Sequence, residues 1–443
     1  MKTDIAELLG LRSPGSVHPP SQKLAASKKI EEIPQPQSVS LPFQQHIGAP
    51  ATPVVEKGEQ VKVGQKIAEA TSYVSCPIHA TISGTIKQLT SMLNPVTGRP
   101  TMGAIIESDG EDSWIDLQAA NPEELSEEGI LERVKDAGLV GLGGAGFPTH
   151  VKLKPPPDKP VRAIIVNGAE CEPFITADDQ LMIEHADRIF GGLRILMKLF
   201  PQAKAYIAIE ENKPAAIELV RRRIEEEGMD GDALLSVVAA RYPMGAEKTL
   251  VRTILGAEVP EGGLPMDVGA LVQNVATLAA IYDAVALGKP LVERVVTVTG
   301  LVNEPKNLLI RFGTPASRAI ETCGGADPSA DEVIFGGPMM GIDQASADSP
   351  IVKTTNCVLL AKSDIREEHD CIRCGRCIDS CPMGLMPLMY VALVKSKAYE
   401  GLSNYHVANC VECGACAYNC PANIPIVSYI KLGKAELQKQ GGK

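Results

Sequence analysis

Eight of the twelve cysteines stand in two consecutive runs of one pattern. The first is Cys371-x₂-Cys374-x₂-Cys377-x₃-Cys381-Pro382, and the second is Cys410-x₂-Cys413-x₂-Cys416-x₃-Cys420-Pro421. Thiolates are soft ligands that suit both iron and zinc. Three of them at two-residue gaps wrap one face of an iron–sulfur cubane, while the fourth, flanked by proline, points elsewhere. Zinc knuckles pair two C-x₂-C elements and have no use for a third cysteine with a C-x₃-C-P tail. The spacing therefore predicts two [4Fe–4S] clusters, which pass single electrons to another redox centre. The other cysteines, Cys76, Cys171, Cys323 and Cys357, are scattered, and buried packing is the expectation for each.

A second constellation is the glycine-rich run Leu139–Thr149 (LVGLGGAGFPT). Backbone this free of side chains lets N–H groups approach a phosphate closely, and a helix N-terminus would add positive potential. A tight structural turn has the same composition, and the ordinary dinucleotide fingerprint follows a strand, whereas this loop follows a helix. Glu170 and Glu172 come next, just past a buried-strand run. Carboxylates there can bind ribose hydroxyls or simply sit on a solvated loop, and Phe147 can stack on a ring or fill the core.

These residues need a scaffold. At 443 residues the chain exceeds one ordinary core, so about three to five domains are expected. A balance of 44% hydrophobic and 22% charged residues is that of a globular protein, and 40 Gly with 33 Pro imply many turns and several small modules. The net charge of −11 argues against nucleic-acid binding, which needs concentrated Lys and Arg. The N-terminus MKTDIAELLG shows no apolar h-region, so no secretory signal is expected, and no run of 18 apolar residues is present to span a bilayer. Cysteine spacing of the metal type in a long chain points to a reducing, cytoplasmic compartment.

Along the chain, residues 1–40 are rich in Pro, Ser and Lys and read as extended or poorly structured. From about Leu41 to Leu117 the signals are short strands and turns, with apolar and polar residues alternating around glycines in Val54–Ile67. Asn121-Pro122 opens a helix with Glu123, Glu124, Glu127 and Glu128 near its positive end, and Gly138 stops it. Strand Arg162–Gly168, helix Gln180–Phe200, strand Ala205–Ile209, helix Pro214–Glu227 and strand Leu234–Ala240 follow. That rhythm means a mostly parallel sheet covered by helices. Residues 291–362 return to β character, and a charged linker, Lys362–Asp370, leads to the cysteines. Between the two runs, the 28 residues Pro382–Asn409 leave room for two helices.

Several stretches resemble known families. Gly141–Lys152 (GLGGAGFPTHVK) resembles the G-x-G-G-A-G-F-P-T-x-x-K motif of the flavin- and NADH-binding subunit of respiratory complex I. Ile164–Pro173 (IIVNGAECEP) is similar to that subunit's N-x-x-E-x-E-P motif, Val272–Leu278 to its N-N-V-E-T segment, and Tyr242–Glu247 more loosely to its G-E-E turn. The resemblance implies that Gly141, Gly143, Gly144, Ala145, Gly146, Lys152, Asn167, Glu170, Asn274 and Thr277 hold FMN. It places Phe147, Glu172 and Glu247 toward NAD(H). The family's loop arginine is Leu142 here, and its acidic residue after the strand is Ala169. Val54–Ile86 resembles the barrel-sandwich fold of biotinyl and lipoyl domains. No lysine lies between Lys66 and Lys87, so docking is expected of it in place of a carried prosthetic group. The cysteine runs resemble bacterial two-cluster ferredoxins, in which the fourth cysteine serves the other cluster. That implies Cys371, Cys374, Cys377 and Cys420 on one cluster, and Cys410, Cys413, Cys416 and Cys381 on the other.

The implied whole is a multidomain α/β chain: an extended segment (1–40), a lipoyl-like barrel-sandwich domain (41–118) and an FMN/NADH-binding α/β domain (119–290). A β-grasp, SLBB-like domain (291–362) and an α-helical ferredoxin domain with two [4Fe–4S] clusters (363–443) complete it. With the F-G-G-P-M-x-G string at Phe335–Gly341, this order resembles the RnfC family, the C subunits of the Rnf complex. That complex is the ion-translocating ferredoxin:NAD⁺ oxidoreductase of bacterial membranes. The resemblance implies electron transfer between ferredoxin and NAD⁺/NADH by a peripheral subunit at the cytoplasmic face of the cell membrane. Its implied partners are the ferredoxin-like RnfB and membrane subunits such as RnfD, which would move Na⁺ or H⁺; ferredoxin would act indirectly. No general acid or base is required. Two other readings stay open: an NADH-linked subunit of a soluble hydrogenase or bifurcating dehydrogenase, and a non-catalytic electron-relay scaffold.

Overall fold

The structure, a computed structural model, describes residues 15–440. Its centre is a four-stranded parallel sheet in the order Ala233–Val238, Lys204–Glu210, Ala163–Gly168, Ala270–Asn274. The AIIV run of the third strand is buried throughout, as a parallel sheet covered by helices requires. From Ala163–Gly168 the chain first builds outward on one side, then returns to add Ala270–Asn274 on the other. The winding therefore reverses between these two strands, where open α/β sheets leave a crevice at the strands' carboxyl ends. Asn167 and Asn274, the last or next-to-last residues of their strands, are register partners there.

Two expected helices are interrupted. The 180–200 segment is Ala177–Glu184 followed by Ala186–Leu199, broken at His185, whose backbone leaves the helical region (φ −130°, ψ 36°). The 121–138 segment is a 3₁₀ turn, Pro122–Glu124, then a helix, Glu127–Asp136. Ser126 starts the second helix by accepting the Gly129 N–H on its side chain, so the chain restarts where the periodicity reads straight through.

The barrel-sandwich domain has a four-stranded sheet (Ser38–Pro42, Pro100–Ser108, Gly84–Leu93, Gln60–Val61) and a three-stranded one (Thr52–Pro53, Lys66–Glu69, Ile78–His79). The β-grasp sheet runs Lys306–Arg311, Glu293–Gly300, Cys357–Ala361, Glu332–Phe335, Ile342–Asp343, with Ala316–Thr322 as its helix. On its edge lies one further strand, Ile30–Glu32, parallel to Lys306–Arg311.

That edge strand belongs to the segment 1–40 read as extended or poorly structured, and it shows what the extended chain pairs with. Residues 1–14 lie outside the described part, but from Gly15 onward the segment is tied down. A Cβ on Gly15 would lie 2.4 Å from the Cys381 carbonyl oxygen, Val17 bridges to Tyr242, and Ser21 accepts the Phe174 N–H. It thus crosses the ferredoxin, flavin and β-grasp parts in turn. The ferredoxin part has its own core around Tyr390, Val391, Leu402 and Ile430, built on helices Pro387–Lys395, Gly401–Asn404 and Ile426–Gln440. Among the described residues, no helix is long and apolar enough to cross a membrane.

Candidate functional site

The glycine loop lies over the strand ends. Its first leg pairs with its last through Val140 and Pro148, and the Gly141 N–H donates to Phe147 O at 2.9 Å, so the loop closes on itself. Gly143, Gly144 and Ala145 at its tip are exposed. Among the described residues, no acceptor takes their N–H groups. A Cβ on Gly143 would stand 2.9 Å from Asn274 Cβ, and one on Gly146 (φ +66°) 2.6 Å from Thr354 Cγ2. Around Gly144 nothing lies within 4 Å of such an atom. Outward N–H groups with open space above them fit an anionic phosphate.

The helix expected to point at this loop is only Thr149–Lys152. A longer helix serves instead. Val275–Ala286 begins right after Asn274, whose side-chain oxygen accepts the Ala276 and Thr277 N–H groups, so its positive end lies beside Gly143. Thr277, fully buried, accepts the Leu142 N–H at 2.9 Å and holds the loop from within. Asn167 donates to Gly245 O (2.9 Å) and accepts the Ala169 N–H, tying the strand end to the turn before Glu247. Glu247 pairs with Lys152 at 2.5 Å. The four stretches singled out in the sequence therefore meet at one end of the sheet. Phe147 is half-buried, neither plain core nor free surface.

The two carboxylates past the strand are not on a solvated loop. Glu170 is buried and accepts the Asp178 N–H (2.8 Å) and the Asp179 N–H (3.4 Å) at the start of the next helix. Burial, and then the charge of Glu170, push the Asp178 carboxyl up. Lys213, buried and paired with Glu210 at 2.6 Å, stays above its ordinary value because Glu210 and Glu170 outweigh the cost of burial. Glu172 Oε2 accepts the Met339 N–H at 3.2 Å, while its Oε1 is buried without a partner. Burial pushes this carboxyl up to about 7. Gly337 must be glycine, since a Cβ there would lie 2.3 Å from Glu172 Oε2. The Phe335–Gly341 string is thus a lid over Glu172, a role that its glycines and proline alone did not reveal.

Sequence reasoning also missed Lys23. Its Nζ donates to the carbonyls of Glu170 (2.9 Å), Glu172 (2.8 Å) and Ile175 (2.6 Å), holding the acidic turn from the N-terminal segment. No local pattern marks it, because its partners are about 150 residues away.

The eight motif cysteines form two rings. One cavity is lined by Cys371, Cys374, Cys377 and Cys420, and another by Cys381, Cys410, Cys413 and Cys416. Each ring takes three thiols from one run and the fourth from the other. Among the described residues, no three His, Cys, Asp or Glu side chains converge as ligands of a single ion, so the thiols surround a space and do not meet at a point. Burial raises the thiols of Cys377, Cys381, Cys410 and Cys416, and pushes Cys413 up to about 11, so they stay protonated unless a cation displaces the proton. Apolar-walled thiol rings suit a cubane. The two rings differ in setting: Cys371 and Cys374 are exposed, whereas Cys413 and Cys416 are buried. Cys413 packs with Val17, Tyr242 and Ala415 against Cys171 and Met339, and the Tyr242 hydroxyl donates to Cys413 O at 2.6 Å. Cys171, read as plain packing, therefore lies between the flavin and ferredoxin parts, accepting the Gly245 N–H.

Comparison with known proteins bears on the whole chain. Residues 11–111 match the RnfC barrel sandwich hybrid domain, 134–283 the Nuo51 FMN-binding domain, 295–343 the SLBB domain and 370–424 the 4Fe-4S dicluster domain. The C subunit of the proton-translocating ferredoxin:NAD(+) oxidoreductase complex of Clostridium ljungdahlii is 46% identical over 87% of this chain and 85% of that protein. The chain belongs to the RnfC family. The Na(+)-translocating counterpart of Acetobacterium woodii is 40% identical over 84% of the chain and 85% of its own length. The C subunit of the ion-translocating oxidoreductase complex of Rhodobacter capsulatus is 41% identical over 87% and 76%. The RnfC order of domains is the one expected from the sequence, and it brings an FMN-binding domain and two [4Fe–4S] sites into one chain.

Proposed function

We propose that this chain is the FMN-, NADH- and iron–sulfur-binding electron-transfer subunit of an Rnf complex, working between ferredoxin and NAD⁺/NADH at the cytoplasmic face of the cell membrane. Its partners are the other Rnf subunits, with the ferredoxin-like RnfB and membrane subunits such as RnfD as the specific candidates, and they carry the Na⁺ or H⁺ translocation. The observation that carries this reading is the contact of one thiol ring with the flavin part through Tyr242 and Cys413.

Gly141, Gly143, Gly144, Ala145 and Gly146 would cradle the FMN phosphate, with Asn167, Glu170, Asn274 and Thr277 fixing the surrounding backbone and Lys152, paired with Glu247, facing the same nucleotide. Phe147, Glu172 and Glu247 would face the nicotinamide nucleotide. When bound, FMN supplies the exchange between single electrons and hydride, and the clusters supply one-electron sites. The chain's own part is placement. Tyr242 and Met339 pack between the buried ring and the flavin part, and the Glu172 carboxyl, raised to about 7 by burial, accepts the Met339 N–H beside them. The ring of Cys371, Cys374, Cys377 and Cys420, open to solvent, is the outer terminal.

Anaerobically isolated protein tests this by its iron, sulfide and flavin content and by NADH-driven reduction of ferricyanide. About eight irons and one FMN per chain, with dye reduction, are expected. Zinc in place of iron would refute the relay. Clusters without flavin after reconstitution would leave only an electron scaffold, and failure to co-purify with membrane subunits would favour a soluble dehydrogenase.

A further inference from the structure

Arg294 stands in the first β-grasp strand, only 4% exposed, yet its guanidinium serves the flavin part. Nη2 donates to Leu142 O at 2.9 Å and Nη1 to Lys353 O at 2.7 Å. No carboxylate among the described residues pairs with it at contact distance; Asp178 and Glu170 act on it only through space. A buried cation is costly unless its donors are satisfied, and here backbone carbonyls satisfy it. The guanidinium thus lies beneath the glycine loop with carbonyls as its contact partners, its charge offset in part by the nearby Asp178 and Glu170. Lys353, also fully buried, does the same one turn earlier, donating to Gly138 O (2.7 Å) and Pro77 O (3.1 Å).

Peptide geometry turns this into a statement about the loop. In a trans peptide the carbonyl and the following N–H point in opposite directions. Arg294 draws the Leu142 carbonyl inward, so the Gly143 N–H must point away from it, toward the exposed tip. Thr277 fixes the peptide on the other side of Leu142 by accepting its N–H. The orientation of the Gly143 donor is therefore set from another domain.

We propose that Arg294 is a positioning residue for the flavin phosphate: from the β-grasp sheet it holds the Leu142–Gly143 peptide N–H-outward and supplies fixed positive charge under the cradle. This rests on the FMN reading given above. It makes FMN affinity depend on the docking of the β-grasp part, although no β-grasp side chain need touch the flavin ring.

Riboflavin, which lacks the phosphate, separates this role from general support. FMN and riboflavin are titrated by fluorescence quenching into flavin-stripped, full-length wild type, Arg294→Gln and Arg294→Lys. Wild type is expected to prefer FMN. Arg294→Gln should weaken FMN by about tenfold or more, the loss of a charge-assisted contact, and leave riboflavin within about twofold. Arg294→Lys keeps the charge but not the fork, so its preference should fall in between; should Arg294→Gln not fold, this variant carries the comparison. Equal weakening of both flavins, or of neither, overturns the proposal. Wild type that takes both flavins equally would instead show that the loop is no phosphate cradle, and the Arg294 role would fall with it.

Discussion

At the scale of single residues, the loop glycines differ in what they do, and substitution should reveal it. Gly144→Ala meets nothing within 4 Å, so the fold should keep its stability while FMN affinity drops, because the methyl occupies the cradle. Gly146→Ala forces a left-handed backbone on an L-residue and drives its Cβ into Thr354, and should cost about 1–3 kcal/mol in thermal unfolding. Equal stability losses for the two would contradict this division. Glu172 offers a pH test. Its carboxyl is raised to about 7 from an ordinary 4.5, so the native state binds the proton more tightly than the unfolded chain does. Its protonated form favours folding at low pH, and that advantage is lost as pH rises from the unfolded value through 7. Glu172→Gln removes the charged form and should flatten the stability profile between pH 5 and 7, gaining on the order of 3 kcal/mol over wild type near pH 8. Asp178 is raised in the same direction and remains in the variant, so some slope should persist. A variant whose profile is parallel to wild type would sink the assignment. The glycines and carboxylates were legible because their own identity carries the chemistry. What they touch was not: the lid over Glu172 comes from 167 residues away.

At the scale of elements, period and caps revealed most of the parallel sheet, while the breaks came from local hydrogen bonding. The helix restart at Ser126 depends on one side-chain acceptor, and the kink at His185 on a backbone departure within an unbroken apolar pattern. The strand Ala270–Asn274 is too short to read by alternation; its Asn serves as a cap as well as a strand end. The N-terminal segment was illegible because Pro- and Ser-rich composition says nothing about carbonyls waiting elsewhere for Lys23. The same long-range logic makes Tyr242 testable. Its hydroxyl joins the flavin part to Cys413 O through one buried hydrogen bond, worth about 1–2 kcal/mol. Tyr242→Phe should speed amide exchange across residues 410–416 and leave the outer ring's 371–377 segment unchanged. Uniform acceleration of both, or none, would mean that this contact does not hold the domain.

At the scale of the molecule, the proposed relay runs from the glycine loop at the reversal point of the sheet, through the Tyr242 turn that touches the buried thiol ring, to the exposed ring. Each cavity is lined by thiols of both motifs, so the proposed crossed ligation would tie the two sites into one folding unit. Cys420 lies in the second run, yet it lines the cavity with Cys371, Cys374 and Cys377. Cys420→Ala should therefore damage the outer cluster, removing about four of about eight irons, and spare the inner one. Cys381→Ala should do the reverse, since Cys381 lines the ring of Cys410, Cys413 and Cys416. Electron paramagnetic resonance of the reduced variants distinguishes the pair, because the surviving signal should be that of a solvent-exposed cluster in one and of a buried cluster in the other. If each alanine instead destroys the cluster of its own run, the ligands are not crossed. The rings would then be independent, and the inner ring's contact with Tyr242 could no longer order the two sites along the chain.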